Sequence, residues 1–191
     1  MQVGSVKEHE PMNTRLSVAA AFLAVLVCAT HAYPCKTARP VSNVDMVRES
    51  DAIVRVSAEN YTVAKKAPIS PTGFDVAMDS RIRFKVLEVV RGKVPGELVL
   101  PGVLVDTDDF NDHASPYNSV RPEGRRGSCF ASSYRSEGQF LLMLKKRGNE
   151  FTVDWYSLAP VNEQLHSAND PWLLWVRKQA KAPIGKSASL R

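Results

Sequence analysis

From Arg81 to Val86 the chain alternates without a break, with Arg81, Arg83 and Lys85 on one side of a two-residue period and Ile82, Phe84 and Val86 on the other. Only a strand sends successive side chains to opposite faces, so this stretch requires a sheet with one apolar face covered and one basic face toward water. The alternation fails at Leu87-Glu88-Val89-Val90, which predicts a bulge or sharp bend of the kind a closing sheet needs. A second alternating run, Ala52 to Ala58, sets Val54, Val56 and Ala58 against Arg55 and Ser57 and begins the sheet. Glu97 to Val105 reads as a third strand interrupted at Pro101-Gly102, and Gln139 to Lys145 as a fourth. After a turn at Arg147-Gly148-Asn149, Glu150 to Trp155 is a fifth, with Phe151, Val153 and Trp155 directed inward.

Helical signals flank these strands. Ser42 to Ser50 reads as a short helix, with Ser42 as N-cap, Asp45 three residues on, and Val44, Met46 and Val47 as its apolar contacts. Near the other end Asp170 caps a helix that has Pro171 at its first position. Trp172, Leu173 and Val176 should pack on the sheet, while Trp175 lies at the rim. Residues 65–79 and the polar stretch from Asp106 to about Arg126 read as loops, and residues 182–191 as a disordered basic tail. The expected fold is therefore mainly β, a five-stranded OB-like Greek-key barrel with a short N-terminal helix and a C-terminal helix. An immunoglobulin-like sandwich would want about seven strands and a Cys-Trp-Cys pattern that the sequence lacks.

Leu16 to Ala29 is almost wholly apolar, follows Arg15, and ends in Thr30-His31-Ala32, with small residues at the positions a signal peptidase inspects. Residues 1–32 thus read as a cleavable signal peptide, too short an apolar run for a membrane-spanning helix, which needs about 20 residues. Residues 33–181 remain as one domain that is secreted or periplasmic, with no transmembrane anchor after cleavage. The formal charge of +5 on the whole chain is kept on processing, because Lys7 and Arg15 leave together with Glu8 and Glu10. On an exported protein such charge suits anionic polysaccharide or an acidic partner before nucleic acid, and Arg81, Arg83, Lys85, Arg125 and Arg126 are the residues to meet it.

Of the three cysteines, Cys28 departs with the signal, and an even count in an oxidising compartment implies a disulfide between Cys35 and Cys129. It would close a loop of about 94 residues, worth on the order of 4–5 kcal/mol by the chain-entropy estimate. The competing use of Cys129 is as a nucleophile with His113 or His166 as base. Asp106-Thr107-Asp108-Asp109-Phe110-Asn111-Asp112 gathers oxygen ligands as calcium prefers, but lacks the glycine and distal glutamate of an EF-hand. His113 and His166 have no metal-ligand spacing, and no paired carboxylates stand out for glycoside hydrolysis. Neither a cofactor nor an enzymatic activity is expected.

Several stretches together carry a resemblance. Glu49-Ser50-Asp51-Ala52-Ile53-Val54-Arg55, Ile82 to Gly92, Cys129-Phe130, Ser136-Glu137-Gly138-Gln139-Phe140-Leu141-Leu142 and Tyr156-Ser157-Leu158-Ala159-Pro160-Val161-Asn162 follow the order of a known family. The chain resembles the N-terminal domain of the tissue inhibitors of metalloproteinases, a netrin-like OB barrel, and more closely secreted bacterial proteins of that type. The resemblance implies that Cys35 corresponds to the family's first cysteine and pairs with Cys129. The family's second bridge has no counterpart, since Thr37 and Trp155 stand where its cysteines belong.

In that family the amine and carbonyl of the first cysteine chelate a protease's zinc at its open position. Cleavage after Ala32 would instead leave Tyr33-Pro34 ahead of Cys35, with the amine inside a peptide bond, which argues against classical chelation. The expectation is a non-catalytic binding module whose partner is a protein, a protease being the first class to test, with Tyr33, Pro34 and Cys35 as the contact region. The alternative is an envelope-associated binder of an anionic polymer, and the least favoured reading is an enzyme using Asp106 to His113. N-terminal sequencing of the exported protein should begin at Tyr33; a first residue of Cys35 would restore the chelating geometry, and an uncleaved start would remove the export reading.

Overall fold

The computed structural model describes residue 35, residues 41–63 and residues 79–182. The signal segment, Tyr33, Pro34, Thr37, residues 65–78 of the predicted loop and residues 183–191 of the tail lie outside the described residues. Within them the chain is mainly β, with helix α1 (Asn43–Glu49) before the strands and helix α2 (Pro171–Lys181) after them. No helix among these residues is long and apolar enough to cross a membrane.

The strands are β1 (Ala52–Val63), β2 (Arg81–Arg91), β3 (Glu97–Pro101), β4 (Val103–Val105), β5 (Ser133–Arg135), β6 (Gln139–Arg147), β7 (Glu150–Val153) and β8 (Asn162–Leu165). Six of them form one antiparallel sheet in the order β3-β2-β1-β6-β7, with β8 pairing the first half of β6 and β7 its second half. The remaining two, β4 and β5, pair in parallel. The two ends of the sheet return toward one another, β3 and β7 flanking a groove that Val63, Val99 and Phe151 help to line.

The sequence pattern predicts five strands and the described residues form eight, for identifiable reasons. The run from Glu97 to Val105 is two strands, because at Gly102 the chain leaves β2 and takes β5 as its neighbour. A Cβ at Gly102 would come within 2.5 Å of the Tyr134 ring, so the crossing needs a residue without a side chain. The fifth predicted strand ends at Val153, not Trp155, and the half-buried Trp155 packs edge-on against Phe130 at 5.9 Å. β5 and β8 carry no alternation that sequence inspection would catch, and β8 is buried along its whole length.

The broken alternation on β2 has a structural counterpart. Its register against β1 shifts between the Ile53–Arg91 and Val54–Val89 pairs and again between Arg55–Glu88 and Val56–Val86. Each shift adds a residue to β2 and increases local twist. β1 pairs with β2 over its length but with β6 only from Ala52 to Ser57, as a bent strand must when its two neighbours diverge.

Val54, Val56, Phe84, Phe140 and Leu142 are fully buried, and Tyr134 joins Phe84 and Phe140 through edge-to-face contacts at 4.9 and 5.0 Å. The other side of β1 and β6 is also apolar: Ile53 and Met143 are buried in the same core as Met46 and Val47 of α1 and Trp172, Leu173 and Val176 of α2. Glu88 ties α2 to the sheet, accepting from Arg177 at 2.6 and 2.9 Å and from Arg55 at 3.2 Å. The Arg177 hydrogen bonds hold its carboxyl below the usual glutamate range.

Both helix caps follow the sequence. Ser42 Oγ accepts from the Asp45 N–H at 3.1 Å and donates to its carboxylate at 2.7 Å, while Asp170 accepts from the Trp172 N–H at 2.9 Å. Val44 is corrected: it turns outward, half exposed, while Met46 and Val47 make the contact. Trp175 stacks on Trp172 at 5.2 Å, and Leu174 is the large apolar side chain that α2 leaves exposed.

The turn after β2 depends on Gly92, which has φ +81° and would push a Cβ into the Asp51 carbonyl oxygen. Gly92→Ala should destabilise the protein by about 1–3 kcal/mol, whereas Gly96→Ala, with open space around its Cβ, should be neutral or slightly stabilising. Urea denaturation of the two variants checks this; equal effects would contradict it.

Candidate functional site

Cys35 and Cys129 are joined, their Cα atoms 5.5 Å apart across a sequence separation of 94. The bond removes the nucleophile reading of Cys129, since a disulfide sulfur is no thiolate. Cys129 has φ +65° and follows an irregular helical turn, Gly124–Ser128, that unwinds at Arg126 and Gly127. Its carbonyl accepts the Leu158 N–H at 2.8 Å, so the turn, the disulfide and the 155–160 segment make one corner.

Arg125 and Arg126 belong to that corner. Arg125 donates to the Val120 carbonyl at 2.9 Å and pairs with Asp112, whereas the Arg126 side chain stands exposed. Arg81, Arg83 and Lys85 instead lie on β2, where Arg83 is within 3.9 Å of Glu97 and Lys85 is exposed. The predicted basic residues therefore divide between a disulfide corner and a strand face.

The acidic loop is an arginine acceptor set. Asp108 pairs with Arg135 at 2.9 Å, Asp109 with Arg121 at 3.0 Å and Asp112 with Arg125. Among the described residues no group of three or more His, Cys, Asp or Glu side chains is placed to hold a metal ion. His113 sits 3.7 Å from Asp112 at the surface. His166 stacks on Phe110 at 4.0 Å and lies 3.0 Å from the buried Asp170 carboxylate, so the two histidines serve different neighbourhoods.

Sequence reasoning missed the cluster that holds this corner in place. Arg121 is 1% exposed, and each of its five side-chain N–H groups has an acceptor. Nε donates to Asn162 O at 3.0 Å, one terminal nitrogen to Asp109 at 3.0 Å and Glu123 at 3.5 Å, the other to Ala131 O at 3.1 Å and Ser133 O at 2.5 Å. The guanidinium also lies 5.4 Å from the ring centres of both Tyr134 and Phe140, a cation over two π faces.

β8 completes the cluster with three polar side chains, all buried. Asn162 donates to Ala131 O and, at 3.1 Å, to the Tyr134 hydroxyl; Glu163 accepts from Arg121 N–H and Asn111; Gln164 spans Asp108 and the Asp109 N–H. An arginine in a polar loop and a polar triplet after a turn have no period, so no sequence signal joins them. Compared with protein families, characterised proteins and solved structures, the chain matches none.

Arg121 cannot leave this cluster cheaply. Arg121→Met would take the buried cation from the partly exposed Asp109 and Glu123 carboxylates and leave the Ala131, Ser133 and Asn162 carbonyls without its donors, and should cost about 2–4 kcal/mol, read as a fall in urea midpoint. A loss below about 1 kcal/mol would show that solvent or another cation replaces it.

Proposed function

We propose that this chain is an exported, non-catalytic netrin-like module of the OB type that binds a protein partner at the Cys35–Cys129 corner. The observation that carries the reading is the disulfide, which ties the residue after Tyr33-Pro34 to the loop bearing Arg125 and Arg126. In the resembled family the same pairing brings the chain start to the binding edge.

The strand order supports the fold part of the reading. An OB barrel places its first strand between the second and fourth, with the third and fifth meeting to close it. Taking β6 and β7 as fourth and fifth strands, β3-β2-β1-β6-β7 is that order, and β3 and β7 approach one another. β4, β5 and β8 are then additions that carry and fasten the long 106–132 segment.

The polymer-binding alternative draws less support. Arg83 already faces Glu97 and Arg125 faces Asp112, and the five cations are divided between two places. An exposed chain of polyanion would have to displace those partners.

The test is co-purification of the secreted protein with partners from its own culture medium, comparing Arg125→Glu/Arg126→Glu with Arg83→Glu/Lys85→Glu. A stoichiometric protein complex lost only in the first pair supports the reading. Retention on anionic polysaccharide that weakens steeply with salt and is lost in the second pair would overturn it in favour of the polymer binder.

A further inference from the structure

Glu163 is buried on β8, and its cross-strand neighbour on β6 is the buried Leu141. Its carboxyl has two hydrogen-bond partners, the Arg121 backbone N–H at 3.0 Å and the Asn111 amide at 3.0 Å. The guanidinium closest in sequence to that N–H gives it no direct bond: its five donors end on Asp109, Glu123 and three carbonyls. A carboxyl sealed from water thus sits beside an arginine already matched to two other carboxylates.

The charged and titratable groups around it come from one segment. Arg121 and Asn111 touch it, Asp109 and Glu123 share its arginine, and Tyr117 lies within electrostatic reach of it and of Asp170. Asp112 pairs with Arg125 and Asp108 with Arg135, so neither cation is directed at Glu163. Ionised Glu163 makes three carboxylates around one guanidinium; protonated Glu163 leaves two.

We infer that Glu163 is a pH-operated latch for the 106–123 segment, closed when its carboxyl carries a proton and loosened when the proton leaves for solvent. Burial pushes the Glu163 carboxyl up to about 7 from an ordinary 4.5, and nearby Asp109 adds to the rise. Arg121 and the Asn111 hydrogen bond oppose it without cancelling it. The sign follows from proton counting. Between pH 4.5 and about 7 the closed segment keeps a proton that the opened one has lost. Closure therefore weakens as pH rises through that window and is level on either side.

Hydrogen exchange at the Asp109, Val120, Arg121 and Glu123 amides, each donated to a partner inside the cluster or to Leu158, reads the latch. After correction for intrinsic exchange, their opening should increase by roughly tenfold per pH unit between pH 5 and 6.5, and Glu163→Gln should abolish the slope. Because that variant faces Asn111 with a second donor and could fold poorly, a carbon-13 titration of the Glu163 carboxyl in the wild-type protein is the companion measurement. A midpoint near 7 supports the latch. A midpoint below about 5, or a pH slope that survives in a folded Glu163→Gln protein, overturns it.

Discussion

One guanidinium holds a long irregular segment of this protein onto its sheet. Residues 106–132 form a long segment with little secondary structure, and such a segment orders only if its backbone and side chains find partners. Arg121 supplies them in several directions: to Asp109 and Glu123 within the segment, to Ala131 and Ser133 at its far end, and to Asn162 on β8. Tyr134 and Phe140 put the same cation against the hydrophobic core. A buried ion pair is a poor source of net stability, but it is strict about geometry, because displacing its partners leaves the buried guanidinium, 1% exposed, without compensation.

That strictness bears on the corner where binding is proposed. The disulfide fixes one point of the 124–129 turn and Arg121 fixes another a few residues earlier. Arg125 lies between them and faces Asp112 of the same segment, so its orientation is set by the fold before any partner arrives. Arg126, at the point where the turn unwinds, is presented outward. A rigid frame thus stands behind a small exposed surface, the arrangement in which a partner's binding energy is least consumed by ordering its target.

Legibility in the sequence followed periodicity. β1, β2 and β6 are readable because apolar side chains repeat along them, and both helices because Ser42 and Asp170 cap them locally and Pro171 suits a first helical position. Glu97 to Val105 was read as one strand because nothing in the pattern tells that Gly102 changes partners. Asn162, Glu163 and Gln164 carry no strand period and yet form a buried strand, their side chains hydrogen-bonded to residues 28 to 56 positions away. The cysteine pair was legible from counting and compartment alone. Arg121 was not, because only the folded chain brings its acceptors together.

Arg121 and its carboxylates act as one unit, and a double-mutant cycle measures that unit directly. Unfolding of wild type, Arg121→Met, Asp109→Asn and the double variant in urea should give a coupling of about 2 kcal/mol or more between the two positions. Additive losses, agreeing within about 0.5 kcal/mol, would mean that the segment is held by something other than this arginine.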